Sequence, residues 1–491
     1  HISLERDGGR DERPVYRQIA DHIQGEIAEA RLAVGARLPT IRELARSLGV
    51  NRDTVAQAYE ALAEAGMLES TVGRGTFVAA PTPATNGHAW SASFTPLVDR
   101  LLAFERARPR FGHAKGAVPM HAVVPDPSLY PVDAFRKALS RALQQGGPEL
   151  LLYGEPQGHV RLRAALAARL RAAALPVSPE EIVLCHGASQ GISLALRLFA
   201  APDEVIALEE PTYNNALAAA HGHGLRTVAI PMREDGPDLG ALERALARPD
   251  VKLFYTIPTF HNPMGTTTSL GARRALLEIA QRCGKPVIED GYESDIRLDG
   301  RAVPPLAGLD PSGLVVHLSS FSKSLFPGAR VGALIARGRV VDALLALKHA
   351  SDLSDSLPLQ VALAELLESG EYDRHLARLR RTMRARRDAL METLEASLPE
   401  GSRWTTPEGG YQVWVELPGA IDTRDLLSDA IHAGVLFAPG SQFHHDGRAS
   451  RCLRLSYAMA DEDALRTGAQ RLGRLARERL AGEPRTASVH V

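Results

Sequence analysis

Between residues 181 and 318 the chain lays down six short apolar runs: Glu181–Cys185, Glu204–Leu208, Arg226–Ile230, Lys252–Ile257, Pro286–Glu289 and Leu314–Leu318. Each has the length of a strand, and stretches with helical periodicity separate them. The runs are continuously apolar rather than alternating, so both faces of each strand must be buried, which requires helices above and below. That predicts an α/β fold, a mostly parallel sheet between two helical layers. Past residue 366 the pattern changes. A long Arg-rich helix over Tyr372–Leu398 and strands at Tyr411–Leu417, Val435–Phe437 and Cys452–Ser456 predict a smaller α+β part. At 491 residues the chain exceeds one ordinary core, so further domains are expected.

The N-terminal stretch reads differently. Val15, Ile19, Ile23 and Ile27 recur every fourth residue and form one helix face. Thr40 and Glu43 stand at capping-box spacing and open a second helix that stops at Gly49. Asn51 caps a third helix that ends near Gly66. Two short strands, Met67–Ser70 and Thr76–Ala79, then flank the glycine turn Val72-Gly73-Arg74-Gly75. Two helices joined by a short glycine-containing turn and followed by a wing form a helix-turn-helix signature, with the third helix in the major groove. Arg52 and Thr54 in its first turn, with Gln57 one turn on, are the candidate base and phosphate contacts. Arg42 is placed for a phosphate, and Gly73 and Arg74 at the wing turn for the minor groove. Residues 1–80 hold ten Arg, no Lys and twelve acidic residues, and the whole chain has a formal net charge of -1. DNA contact must therefore come from placed arginines and helix N-termini, not from a basic field. The run LPTIRELARSLGVNRDTVAQAYEALAEAGMLESTVGRGTFVA closely resembles the winged-helix head of the GntR superfamily.

These boundaries predict a winged helix-turn-helix domain over 13–79 and a linker over 80–114, marked by Pro81-Thr82-Pro83. A body over 115–491 follows, its large part about 151–365 and its small part about 115–150 with 366–480.

Covalent chemistry on pyridoxal 5'-phosphate (PLP) needs a lysine, an anion for the pyridine nitrogen, a phosphate cup and a donor for the ring hydroxyl. The chain has six lysines. Lys323 sits in Ser319-Ser320-Phe321-Ser322-Lys323-Ser324 at the end of a predicted strand, with Arg330 seven residues on. Serines and a guanidinium beside a lysine suit a phosphate monoester. Asp290 ends another strand, where a carboxylate faces the ligand crevice, while its neighbour Glu289 points to the opposite face and is read as structural. Gly187, Ala188 and Ser189 open a helix after a strand and can cradle phosphate. By itself that is a weak signal. Tyr213 is an aromatic after a strand that could stack on the ring, although such residues are more often core. No histidine or cysteine spacing points to a metal. Cys185, Cys283 and Cys452 read as buried, inert thiols in a reducing compartment.

In order, GASQG, EEPTY, PTFHNPMG, EDGYES and SSFSKSLFPGARVG resemble the fold-type I PLP enzymes of the aspartate aminotransferase kind, over about residues 118–475. That resemblance implies that Lys323 carries the cofactor as a Schiff base and that Asn262 and Tyr292 hydrogen-bond the ring hydroxyl. It implies that Asp290 pairs with the ring nitrogen, that Ser320, Ser322 and Arg330 bind phosphate, and that Tyr213 stacks. Arg454 matches the arginine that holds a substrate or effector carboxylate, though taken alone it is an ordinary strand arginine. Tyr153 matches a tyrosine that reaches the partner subunit's phosphate, which implies a domain-swapped homodimer.

A GntR-like head on such a body resembles the MocR family of bacterial regulators. The resemblance implies a cytoplasmic transcription regulator with no membrane segment. It would bind double-stranded DNA and sense PLP or an amino acid or amine through the body. Many such regulators differ at the position of Asn262, where this chain has the enzyme-like residue. A working aminotransferase with an accessory DNA-binding head is therefore the second reading.

Overall fold

The computed structural model describes residues 15–28, 31–64, 66–71, 75–79, 94–106, 108–109, 111 and 116–482. The chain divides into two compact units, His1–Phe94 and Thr95–Val491.

In the first unit α1 (Val15–Ala28), α2 (Ile41–Leu48) and α3 (Arg52–Glu64) precede the antiparallel pair β1 (Leu68–Thr71) and β2 (Gly75–Val78). The Thr40 hydroxyl accepts from the Glu43 amide at 3.2 Å while the Glu43 carboxylate accepts from the Thr40 amide at 2.8 Å. That is the expected capping box, and α2 ends at Gly49 with φ 63°. Asn51 Oδ1 accepts from the Asp53 amide at 3.3 Å and opens α3. Ile19, Ile23, Leu44, Val55, Tyr59, Leu62 and Val78 fill the core. Gly73 and Arg74 lie outside the described residues.

The second unit opens with α4 (Pro96–Arg106). Its strands are β3 (Val118–Pro119), β4 (Ile182–Cys185), β5 (Val205–Glu210), β6 (Arg226–Arg233), β7 (Gly236–Pro237), β8 (Val251–Thr256), β9 (Val287–Asp290), β10 (Val315–Ser320) and β11 (Gly332–Ile335). Then come β12 (Arg403–Trp404), β13 (Gln412–Glu416), β14 (Val435–Leu436), β15 (Ala438–Pro439) and β16 (Cys452–Ser456). Eight strands form one sheet in the order β4-β11-β10-β9-β8-β5-β6-β7. Strands β6, β5, β8, β9 and β10 run parallel. The continuous apolar runs divide between two cores as the pleat requires. Ile182, Val205, Ala207, Phe254 and Val287 face one, and Val183, Ile206, Leu208, Tyr255 and Ile288 the other. A second sheet, β12-β13-β16-β15, forms the smaller part. There β14 pairs with β3, which joins residues 118–119 to the C-terminal region.

Three features differ from expectation. Strand β11, antiparallel to both β10 and β4, was not anticipated. Helix α4 lies inside the stretch read as linker and belongs to the larger unit. Only Cys185 is buried, while Cys283, at the end of the helix Leu270–Cys283, and Cys452, at the start of β16, are half-buried. Among the described residues no helix is long and apolar enough to cross a membrane.

Candidate functional site

On the head, α3 turns Val55, Ala58, Tyr59 and Leu62 inward, and the Tyr59 hydroxyl donates to the Pro39 carbonyl at 2.8 Å. That bond fixes α3 against the start of α2. Arg42, Arg52 and Gln57 are exposed and Thr54 half-buried, and the acidic Asp53 and Glu60 on α3 are exposed as well. One cation was missed in sequence. Arg37 packs against the wing, where a Cβ on Gly75 would meet its Nε at 2.9 Å.

In the larger unit the C-terminal ends of the parallel strands gather most of the predicted cofactor residues. Asp290 closes β9 and is 1% exposed. It accepts from the Tyr255 hydroxyl at 2.7 Å and from the Tyr292 amide at 3.2 Å. Burial nonetheless pushes its carboxyl up to about 6, because among the described residues no cation is hydrogen-bonded to it. A protonated ring nitrogen is the partner such a carboxylate lacks. Glu289 faces the other way, as expected. It accepts from the amides of Leu306 and Ala307 at 2.7 and 3.0 Å and lies 2.9 Å from His317 Nδ1.

Asn262 is 1% exposed. Its Oδ1 accepts from Arg454 at 2.8 Å and its Nδ2 has no partner. The Tyr292 hydroxyl accepts from Gln412 Nε2 at 2.7 Å and lies beside the Glu293 carboxyl. The Asn262 amide is thereby a buried donor kept for an oxygen that the described residues do not supply. Arg454, also buried, donates to the His121 carbonyl at 2.9 Å, and its Nε is without a partner. Tyr213 caps the helix Asn214–Gly222 with its ring parallel to that of Tyr292, centroids 6.3 Å apart.

Lys323 follows β10, and the Tyr411 hydroxyl pins its carbonyl at 2.6 Å. The buried Glu293 carboxyl stands beside it. Burial raises the carboxyl and lowers the ammonium, and each charge offsets part of the shift on the other. Beside Lys323, Ser320 Oγ accepts from the Ser322 amide at 3.2 Å, and Ser322 Oγ is buried without a partner. Arg330 adopts a left-handed backbone, φ 45°, and donates to the His186 carbonyl at 2.8 Å. Gly187 opens the helix Gly187–Phe199 with φ 74°, and a Cβ there would come within 3.1 Å of the Arg330 guanidinium. Gly332 on β11 allows the same close approach from below, since its Cβ would meet Gly187 at 2.9 Å. The unexpected strand therefore brings Arg330 to the helix N-terminus. Ala188 is half-buried and Ser189 exposed in that first turn. Tyr153 is not part of this cluster on its own chain, being 81% exposed.

The donor set fits PLP: a carboxylate lacking a cation, an unpaired donor for a ring oxygen, a lysine with lowered basicity, and a hydroxyl–guanidinium cradle at a helix N-terminus. Sequence reasoning missed the supporting groups Tyr255, Glu293, Gln412 and Arg273. Tyr255 alone left a signal, as the tyrosine on a strand adjoining that of Asp290.

Residues 124–472 match the family Aminotransferase class I and II, and residues 15–78 match Bacterial regulatory proteins, gntR family. The chain is 31% identical over 475 residues to the HTH-type transcriptional regulator YisV of Bacillus subtilis, covering 94% of this chain and 96% of that one. To the probable rhizopine catabolism regulatory protein MocR of Rhizobium meliloti it is 29% identical, with 95% and 94% covered. Among solved structures, α-aminoadipate aminotransferase LysN of Thermus thermophilus, complexed with N-(5'-phosphopyridoxyl)-L-leucine, superposes with TM-score 0.74 at 33% identity. That match covers 81% of this chain and all of the other.

Proposed function

This chain belongs to the aminotransferase class I and II family and to the GntR-type regulators that carry such a domain, and on that premise we propose that it is a cytoplasmic regulator whose PLP site senses an amino compound. The observation that carries the reading is the relatives' span: regulators with a head match this chain nearly end to end, while its cofactor donors remain complete.

When bound, PLP supplies a carbon open to attack by a primary amine and an electron sink behind it. In this reading Asp290 holds the ring nitrogen protonated, and Asn262 and Tyr292 donate to the ring oxygen. Gly187, Ala188, Ser189, Ser320, Ser322 and Arg330 take the phosphate. Lys323 would hold the cofactor covalently, Arg454 would orient the carboxylate of an incoming amine, and the unprotonated Lys323 amine would serve as general base. Tyr153, Leu151, Leu152 and Leu353 are exposed to 81, 72, 65 and 52%, an apolar strip that supports a second copy of this chain as partner. Tyr153 would there complete the neighbour's phosphate site in a domain-swapped homodimer.

Within the larger unit Tyr213 is tied to the segment after α4. Arg108, just beyond α4, donates to Asn215 Oδ1 at 2.9 Å, and Asn215 Nδ2 donates to the Tyr213 hydroxyl at 2.9 Å. Tyr213 is thus two hydrogen bonds from the segment that follows α4.

Arg42, Arg52, Thr54 and Gln57 are the proposed contacts to double-stranded DNA. Arg52→Ala is expected to weaken binding to the protein's own upstream DNA by about 1–3 kcal/mol and leave PLP content unchanged. Equal loss of both would instead mean a misfolded protein.

The complete set of Lys323, Asp290, Asn262 and Arg454 favours one second reading, a working aminotransferase. Incubation of the PLP-loaded protein with an amino-acid panel and a keto acid separates the two. Spectral change without repeated turnover, accompanied by altered DNA affinity, is the expected outcome. Many turnovers at enzyme-like rates with no effect on DNA binding would replace the regulator by the enzyme.

A further inference from the structure

An ion cluster with no part in the chemistry above lies behind the first turn of the helix Gly187–Phe199. Lys348, on the helix Arg339–His349, is fully buried. Its ammonium donates to Asp352 Oδ1 at 2.8 Å and stands 3.1 Å from Asp355 Oδ2. A buried ammonium is tolerated only when paired, so these carboxylates are bound to it by necessity. Both also reach forward. The second oxygen of Asp352 accepts from Gln190 Nε2, and Gln190 Oε1 accepts from the His186 amide at 2.7 Å. The second oxygen of Asp355 lies 3.1 Å from His186 Nε2.

His186 immediately precedes Gly187. Its amide is held by Gln190, which Asp352 holds in turn, its imidazole faces Asp355 at ion-pair distance, and its carbonyl is held by Arg330. His186, Asp352 and Asp355 have the composition of a metal site, but the ammonium already bridges the two carboxylates. A Cβ at Gly187 would crowd the Arg330 guanidinium, so His186 and Arg330 set a turn with no room for a side chain.

We propose that Lys348 is a positioning residue of the phosphate site: through Asp352–Gln190 and Asp355–His186 it fixes the helix turn that receives the phosphate monoester. It also neutralises one of two carboxylates that would otherwise face that anion. The inference rests on residues 187–189 being the phosphate cup.

The test compares PLP with pyridoxal, which has the same ring and aldehyde but no phosphate. In Lys348→Met the buried Asp355 and the half-buried Asp352 lose their counter-charge, and the Kd for PLP is expected to rise about tenfold or more. The Kd for pyridoxal should change less than about twofold, since no anion is involved. Gln190→Leu leaves the Lys348–Asp pairs intact and cuts only the link to the His186 amide. It should show the same selective loss at unchanged Tm, so the test survives if Lys348→Met folds poorly. Equal weakening of both ligands in both variants, or an unchanged PLP Kd in Gln190→Leu, overturns the proposal. Failure of the unaltered protein to prefer PLP over pyridoxal overturns the cup itself, and the proposal falls with it.

Discussion

In Lys323→Ala protein the visible absorption band of lysine-linked PLP should vanish, and dialysis should strip the cofactor that the unaltered protein retains. Lys323 is the lysine that follows β10 at the strand ends where Asp290 and Ser320 also finish. Its surroundings lower its affinity for a proton, and an amine must be unprotonated to attack a carbonyl. The serine, arginine and helix N-terminus contacts do not depend on that side chain. Alanine should therefore leave weak, reversible binding and remove covalent retention altogether. Borohydride reduction followed by peptide mass analysis gives an independent readout. The label is expected on Lys323 alone among the six lysines, and on none in the variant. An unchanged visible spectrum, or a label on Lys348, would sink the site assignment.

What could be read in the sequence follows from how local each signal is. The runs at 182–185, 205–210 and 287–290 were legible because burial on both faces writes itself into consecutive residues. Strand β11 left no such mark. Gly332-Ala333-Leu334-Ile335 is short, begins with glycine and directly follows the segment read as phosphate-binding, so its antiparallel return was absorbed into that segment. The capping box of α2 lies within four residues and was legible in full. Residues with their own chemistry at strand ends, such as Asp290 and Lys323, were found for the same reason. Gln412 was not. It reaches Tyr292 across 120 residues of chain, and nothing near it in sequence announces that contact. Nothing near Lys348 in sequence marks it either, because its two carboxylates come from the turn after the helix and one of them faces His186.

Arg273 shows how such a distant support can matter as much as a cofactor contact. Its side chain is fully buried. Nε donates to the Thr268 carbonyl at 3.0 Å and one terminal nitrogen to the Pro304 carbonyl at 3.0 Å. The other terminal nitrogen donates to the Pro258 carbonyl at 2.6 Å and to Thr259 Oγ1 at 2.7 Å. The guanidinium thus ties both ends of the loop 258–268, on which Asn262 sits, and it stands 3.9 Å from Glu289. Burial pulls its pKa down to about 10, a measure of how little water reaches it. Arg273→Met strands the Thr268 and Pro304 carbonyls, while that of Pro258 keeps the Thr268 amide. Each orphaned buried acceptor costs about 1–3 kcal/mol. Glu289 keeps His317 and two amides, so the loss belongs to the loop more than to that carboxylate. The variant should be destabilised by about 3–5 kcal/mol, a large share of the 5–15 kcal/mol that holds a typical domain folded. Its denaturation midpoint should fall accordingly, and PLP should bind more weakly because Asn262 is no longer held. Arg273→Lys decides whether charge or geometry is responsible. A lysine keeps the charge beside Glu289 but has a single nitrogen, which cannot span the three carbonyls. It is expected to recover little of the lost stability. Near-complete recovery would make Arg273 a counter-charge for Glu289 and remove it from the support of the site.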